Sequence, residues 1–431
     1  MSPQVRPCES VESCKSPSPN PTMIPIFPSW LVALAFVFSF VQQASAAIDS
    51  ATTKTIPPTG ECKKGPWGKL VFHEAYLEAS EELLSYYPLP STTTCWTVNE
   101  ASLDAFTLAL SKTNIPATSV KLMLSPGHAV RMDGKICVFP SADLVVALTA
   151  DDRAQLYSFL GQFPENEFIV NPVFFGRGGV DKWLNGTELT PKIQGLVKKL
   201  VWQRGHALVM SDIEVLLGGA VSNKEAQEIF RTCTRTRTLM LQLVLEDTTN
   251  LNDLGTYWVK GHSKKRIIPF LESMRASGQG RPIYCDIIHL FSAFMRQLLY
   301  TYPDLSLAKN GRFPDCHWTS LNFFNFAPRE YYLNTKLAAD VVLQDYNPVE
   351  APYEFGDVLM FIRDGGAVHS CVYIADDIVF TKNGENIVNP WMLSRLEEVQ
   401  DVYQFESQVK IQGFRKKMIQ GINPPDDPST K

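Results

Sequence analysis

Pro314-Asp315-Cys316-His317-Trp318 and, further along, Phe355-Gly356-Asp357-Val358-Leu359-Met360-Phe361, Arg363-Asp364-Gly365-Gly366, His369-Ser370-Cys371-Val372-Tyr373-Ile374 and Ile378-Val379-Phe380-Thr381-Lys382-Asn383-Gly384 decide how this chain is read. The first stretch continues through Thr319, Asn322 and Phe324 to Pro328 and reads as a short helix that the proline stops. Asp315 is a good N-cap, which places Cys316 in the first turn, where unpaired backbone N–H groups and the helix dipole favour a thiolate. The later stretches read as three strands of an antiparallel meander, the last two joined by a tight turn at Ala375-Asp376-Asp377.

This order of features resembles the NlpC-type branch of the papain-like cysteine peptidases: Asp-Cys at a helix start, Gly-Asp opening a strand, then His at the head of the next strand. The resemblance covers about a third of the chain and implies that Cys316 is the nucleophile and His369 the general base. It also implies a polar residue on the following strand that orients the imidazole. By offset from His369 that residue is Thr381, while Asn383, on the same strand face, is the better orienter by chemistry and is preferred, with Thr381 as the alternate. The sequence departs from the family in three places. His317-Trp318 stands where Ser-Gly usually follows the cysteine, the usual orienting histidine is missing, and Cys371 puts a second thiol on the face of His369.

The rest of the composition bounds the function. The 431 residues are 45% apolar and 20% charged with a formal net charge of −5, and no basic stripe is present to attract nucleic acid. No cofactor motif stands out. Residues 30–41 are almost unbroken apolar sequence followed by Ala44-Ser45-Ala46, which reads as a cleavable secretory signal over about 23–46, too short for a stable membrane span. Residues 1–22 precede it, and either Met1 or Met23 is the start. The exported chain, periplasmic or secreted, then carries seven of the nine cysteines: Cys62, Cys95, Cys137, Cys233, Cys285, Cys316 and Cys371. An odd number in an oxidising compartment leaves at least one thiol free, which suits a catalytic cysteine beside as many as three bridges of undetermined pairing.

The expected organisation is therefore α+β throughout. Residues 47–64 form a linker, 65–265 a separate α+β domain without a recognisable constellation, 266–415 the NlpC-type domain with its helix-borne cysteine packed on an antiparallel sheet, and 416–431 a disordered tail. Within the first domain, Thr149-Ala150-Asp151-Asp152 and Ser222-Asn223-Lys224-Glu225 have the form of capping boxes and open helices. Residues 120–124 look strand-like, residues 69–79 fit strand or helix, and Leu239, Leu241, Leu243 and Leu245 share one face of a strand or amphipathic segment. Arg231, Arg235 and Arg237 read as a solvated charged face. In the second domain, residues 286–300 read as a strongly apolar helix and 391–399 as another, with 402–411 as a closing strand.

On this reading the protein is an exported cysteine amidase or peptidase. Its substrate is a cell-wall peptide or other peptidoglycan-like amide, and Trp318 and Asn322, one turn apart, line the cleft with Thr381. Two alternatives stay open. Cys316 bridged to Cys371 would make an inactive module that binds cell-wall material or a protein partner, and Cys316, His317, His369 and Cys371 form a two-Cys, two-His set of the kind that holds structural zinc.

Overall fold

The computed structural model describes residues 58–259, 264–309, 311–404 and 408–417. The expected signal and most of the linker and tail lie outside them. Residues from Pro58 onward form one compact α+β unit, and among the described residues no helix is long and apolar enough to cross a membrane.

Two antiparallel sheets frame the molecule. The six-stranded sheet runs Tyr346–Val349, Lys410–Lys416, Val358–Arg363, Gly366–Ala375, Ile378–Thr381, Met392–Arg395 across its width. Its middle is the expected meander, with Arg363 opposite Gly366 and Ala375 opposite Ile378 at the two turns. The tight turn needs left-handed backbone, and Asp364 and Asp376 supply it at φ 51° and 55°. The Gly-Asp that opens the meander has a packing reason. Gly356 sits at φ 88°, and a Cβ there would lie 2.1 Å from the Phe324 ring. Asp357 is buried and takes a forked pair of hydrogen bonds from Arg415 Nε and Nη2 (2.8 and 2.7 Å), which ties the first meander strand to the last strand of the chain.

The four-stranded sheet consists of Gly60–Glu61, Lys69–Leu77, Thr236–Leu245 and Ile283–Asp286 in that order. Residues 69–77 resolve as strand, because Thr236–Leu245 pairs with them along their whole length, from Lys69 opposite Val244 to Leu77 opposite Thr236. Leu239, Leu241, Leu243 and Leu245 do share one buried face. That face belongs to the same hydrophobic cluster as Trp318, Phe323, Phe355, Val372, Phe380 and Trp391. Thr238 joins the sheets directly, its Oγ1 donating to Leu393 O (3.1 Å) and accepting from Leu393 N (3.2 Å). Apolar packing thus runs without a break across the boundary expected near residue 265.

A second cluster is assembled from residues between Trp96 and Phe230, in a lobe that leaves the body after Leu77 and returns at Thr236. Its helix Ala150–Leu160 opens with a full capping box between Thr149 and Asp152, and helix Asn223–Cys233 opens with Ser222 Oγ accepting from Glu225 N. At the lobe's centre Arg153, fully buried, pairs with Asp212 (3.1 Å), donates to three carbonyls and shares the carboxylate with Tyr157.

Three local expectations are corrected. Residues 120–124 lie mostly in helix Ala117–Met123, which begins directly after Pro116. Residues 286–300 are not one helix: Ile283–Asp286 pairs with Leu245–Gln242, Asp286 caps a 3-10 turn at Ile287–Leu290, and Ser292 caps a separate helix, Ala293–Leu298. Ile287, Leu290, Phe291 and Leu298 are buried nonetheless, since side chains that are apolar all round are buried by either backbone. Finally, Met392–Arg395 is an edge strand and the helix is Leu396–Tyr403, so the closing strand starts only at Lys410.

Candidate functional site

Cys316 is the first residue of the helix Cys316–Leu321, and Asp315 caps that helix by accepting from Trp318 N at 2.7 Å. The helix lies against the strand Gly366–Ala375 through Ser370, whose hydroxyl donates to Cys316 O (3.2 Å) and Ser320 Oγ (3.1 Å) and meets His317 Nδ1 (2.9 Å). His317 is thus a buttress under the cysteine. Burial holds its imidazole below the ordinary range, against the opposing pull of Asp315.

His369, fully buried, lies one residue before Ser370 and so on the opposite face of the strand. There Phe361 meets its ring edge-on, and Tyr403 stacks on it with centroids 4.1 Å apart and planes 17° from parallel. His369 Nε2 lies 3.0 Å from Thr381 Oγ1, and Thr381 Oγ1 in turn donates to Asn383 Oδ1 at 3.5 Å. If the hydroxyl proton goes to Asn383, Thr381 accepts from Nε2–H, and the lone pair of the ring resides on Nδ1. Nδ1 has no hydrogen-bond partner among the described residues, so no hydrogen bond joins it to the Cys316 thiol.

The thiol is nevertheless part of this neighbourhood. Cys316 is electrostatically coupled to Cys371, Lys382 and Tyr403, the last being the residue stacked on His369. Cys371 and Cys316 are both free thiols, and burial, reinforced by Cys316, pushes Cys371 far above the usual thiol range. Lys382 is fully buried, donates to Gly384 O (2.8 Å) and Asn386 O (2.9 Å), and is pushed down to about 7 by desolvation, with Cys316 pulling the other way.

The residues read from sequence fare differently. Thr381, the alternate, makes the direct contact with the imidazole, and Asn383 reaches it only through Thr381. Trp318 is a core residue, edge-on to Phe294 and tilted against Trp391. Asn322, also buried, donates to Trp318 O and accepts from Arg329 N, a helix-to-loop clamp. Both are buried. Among the described residues no group of three His, Cys, Asp or Glu side chains is placed to hold a metal ion.

An open cleft of about 600 Å³ separates the lobe from the six-stranded sheet. Asn383 and Tyr403 border it from the side of the six-stranded sheet, and Phe174, Arg204 and Arg235 from the lobe, while Cys316 and His369 are buried and not among its lining. Three features here escaped the sequence. Tyr403 left no signal, because it comes from a helix distant in sequence. Lys382 did leave one: alternation from Phe380 places it on the face toward the cysteine helix. The arginines at 231, 235 and 237 are not a solvated face but a half-buried ion-pair network, with Arg237 on Glu74 and Glu398, Arg235 near Glu78 and stacked on Tyr76, and Arg231 on Glu228.

Against this geometry, comparison with known proteins adds nothing: no family model, no curated protein and no solved structure matches the chain.

Proposed function

We propose that the protein is an exported cysteine hydrolase of the NlpC-type, papain-like class, acting on amide bonds of cell-wall peptides or related material. Cys316 is its nucleophile, His369 its base, and Thr381 backed by Asn383 its orienting pair. The observation that carries the reading is the imidazole of His369: its Nε2 is held by Thr381, its plane is held by Tyr403, and its Nδ1 is left without a hydrogen-bond partner among the described residues. In the proposed reaction Nδ1 takes the proton of Cys316 as the sulfur attacks the carbonyl, then returns it to the leaving amine. Water, deprotonated by the same nitrogen, releases the acyl group from sulfur. Substrate binding brings Nδ1 and Sγ into line, as catalytic hydrogen bonds commonly tighten only in the complex. The Cys316 N–H at the helix start helps to hold the oxyanion, and the ammonium of Lys382 offsets negative charge on the sulfur.

A specific observation also favours a second reading, a binding module without catalysis: His369 and the cysteine helix occupy opposite faces of one strand. One experiment separates the two. Limiting iodoacetamide is added to the purified protein and the labelled cysteines are mapped by peptide mass spectrometry, with His369→Ala as comparison. The hydrolase reading expects Cys316 to be labelled ahead of every other thiol and at least tenfold more slowly in the variant. Labelling of Cys316 at the pace of the other thiols, indifferent to His369, would leave the binding module.

A further inference from the structure

Outside the candidate site, two half-exposed thiols meet in the lobe. Cys137 lies in the strand Lys135–Val138, and Cys95 immediately precedes the strand Trp96–Asn99 that pairs with it. The register sets Thr97 opposite Cys137, and alternation puts Cys95 on the same face as Thr97. Thr97 Oγ1 lies 3.5 Å from Cys95 Sγ and 3.5 Å from Cys137 Sγ, so the two sulfurs flank a single hydroxyl.

We propose that Cys95 and Cys137 are a disulfide-forming pair, closed by a small-molecule disulfide. Diagonal neighbours across an antiparallel pair have Cα atoms about 7–8 Å apart, slightly beyond the span a disulfide tolerates. Closure therefore needs one end to shift by an ångström or so. Cys95 is the end that can: residues 91–93 before it are exposed coil, whereas Thr97 after it is fixed by Asn166, which bonds both its N–H (2.8 Å) and its carbonyl (2.9 Å). One protein thiolate attacks a sulfur of the small disulfide and expels a thiolate. The second protein thiolate then attacks the protein sulfur of the mixed disulfide and expels the other half. The two protein sulfurs are oxidised, the reagent is reduced to two thiols, and the two protons of Cys95 and Cys137 end on them. Burial pushes the Cys95 thiol up to about 11, so closure is slow at neutral pH and quickens toward alkaline pH.

The test treats the folded full-length chain with oxidised glutathione at pH 8.5, quenches with acid, alkylates the remaining thiols and maps peptides without reduction. The expected result is a linked pair of peptides carrying Cys95 and Cys137, lighter by two hydrogens than the separate peptides and split by dithiothreitol. In Cys137→Ser the linked pair disappears and Cys95 is recovered joined to glutathione. Recovery of both cysteines fully alkylated, each capped by glutathione but unlinked, or linked to other cysteines would overturn the proposal. If the variant does not fold, the mapping of the unsubstituted chain decides by itself. A bridge between Cys316 and Cys371 would appear as a different peptide pair and would count against the hydrolase reading, leaving the inference about the lobe to its own peptides.

Discussion

His369 is the residue on which the functional reading turns, and its surroundings separate two neighbours that the sequence presents as equals. Thr381 touches Nε2 and Asn383 touches only Thr381. Thr381→Val is therefore expected to lower kcat/KM by roughly ten- to a hundredfold, because an unheld imidazole loses its fixed tautomer, with Asn383→Ala costing several-fold less. Steady-state kinetics on a peptide amide substrate measures both, and a greater loss in Asn383→Ala would reverse the order. Lys382 carries a second expectation. Its folded pKa of about 7 lies below its unfolded value of 10.5, so between these values the unfolded chain binds more protons and this lysine makes stability rise with pH. Urea midpoints of the parent and Lys382→Met, measured from pH 6 to 9, should therefore differ in slope, with the steeper rise in the parent. The capped start of the cysteine helix and the strand that carries His369 were legible in the sequence because both are local patterns, although that strand begins three residues earlier, at Gly366. The stacking of Tyr403 on His369 was not, since it depends on which side of the sheet each later element covers.

At the scale of elements, local punctuation decided what could be read. Thr149 and Ser222 announced their helices because an N-cap is a contact between residues three apart. Residues 286–300 failed for the complementary reason: they are apolar all round, and the caps at Asp286 and Ser292 that divide them look unremarkable beside so strong a hydrophobic run. Helix Ala150–Leu160 also holds the buried Arg153, which Asp212 neutralises. Replacing Asp212 with Ala leaves a buried guanidinium with only carbonyls for company, and a loss of about 3–5 kcal/mol in unfolding free energy is expected by urea denaturation. A loss under 1 kcal/mol would mean that Leu148 O, Lys199 O and Val145 O suffice.

For the whole molecule, the shared core outweighs the expected boundary. Thr236–Leu245 contributes four leucines to the cluster that contains Trp318 and Phe380, and Thr238 is hydrogen-bonded to the outermost strand of the six-stranded sheet. A fragment of residues 266–417 would expose that face. It is expected to lack cooperative unfolding and dispersed amide resonances, while residues 58–417 show both. A well-folded shorter fragment would restore the boundary. The sequence suggested a division there because the run around Lys264 and Arg266 is charged, and a charged run reads as a linker in sequence.

The pairing of Leu77 with Thr236 closes the long ladder where the lobe departs and returns. Topologically the lobe is a guest in a host chain: its two ends meet on adjacent strands, so it can be acquired, lost or exchanged in evolution without rethreading a single strand of the sheets beneath. The wall it contributes to the cleft can then diversify at a different pace from the cysteine helix and the histidine strand.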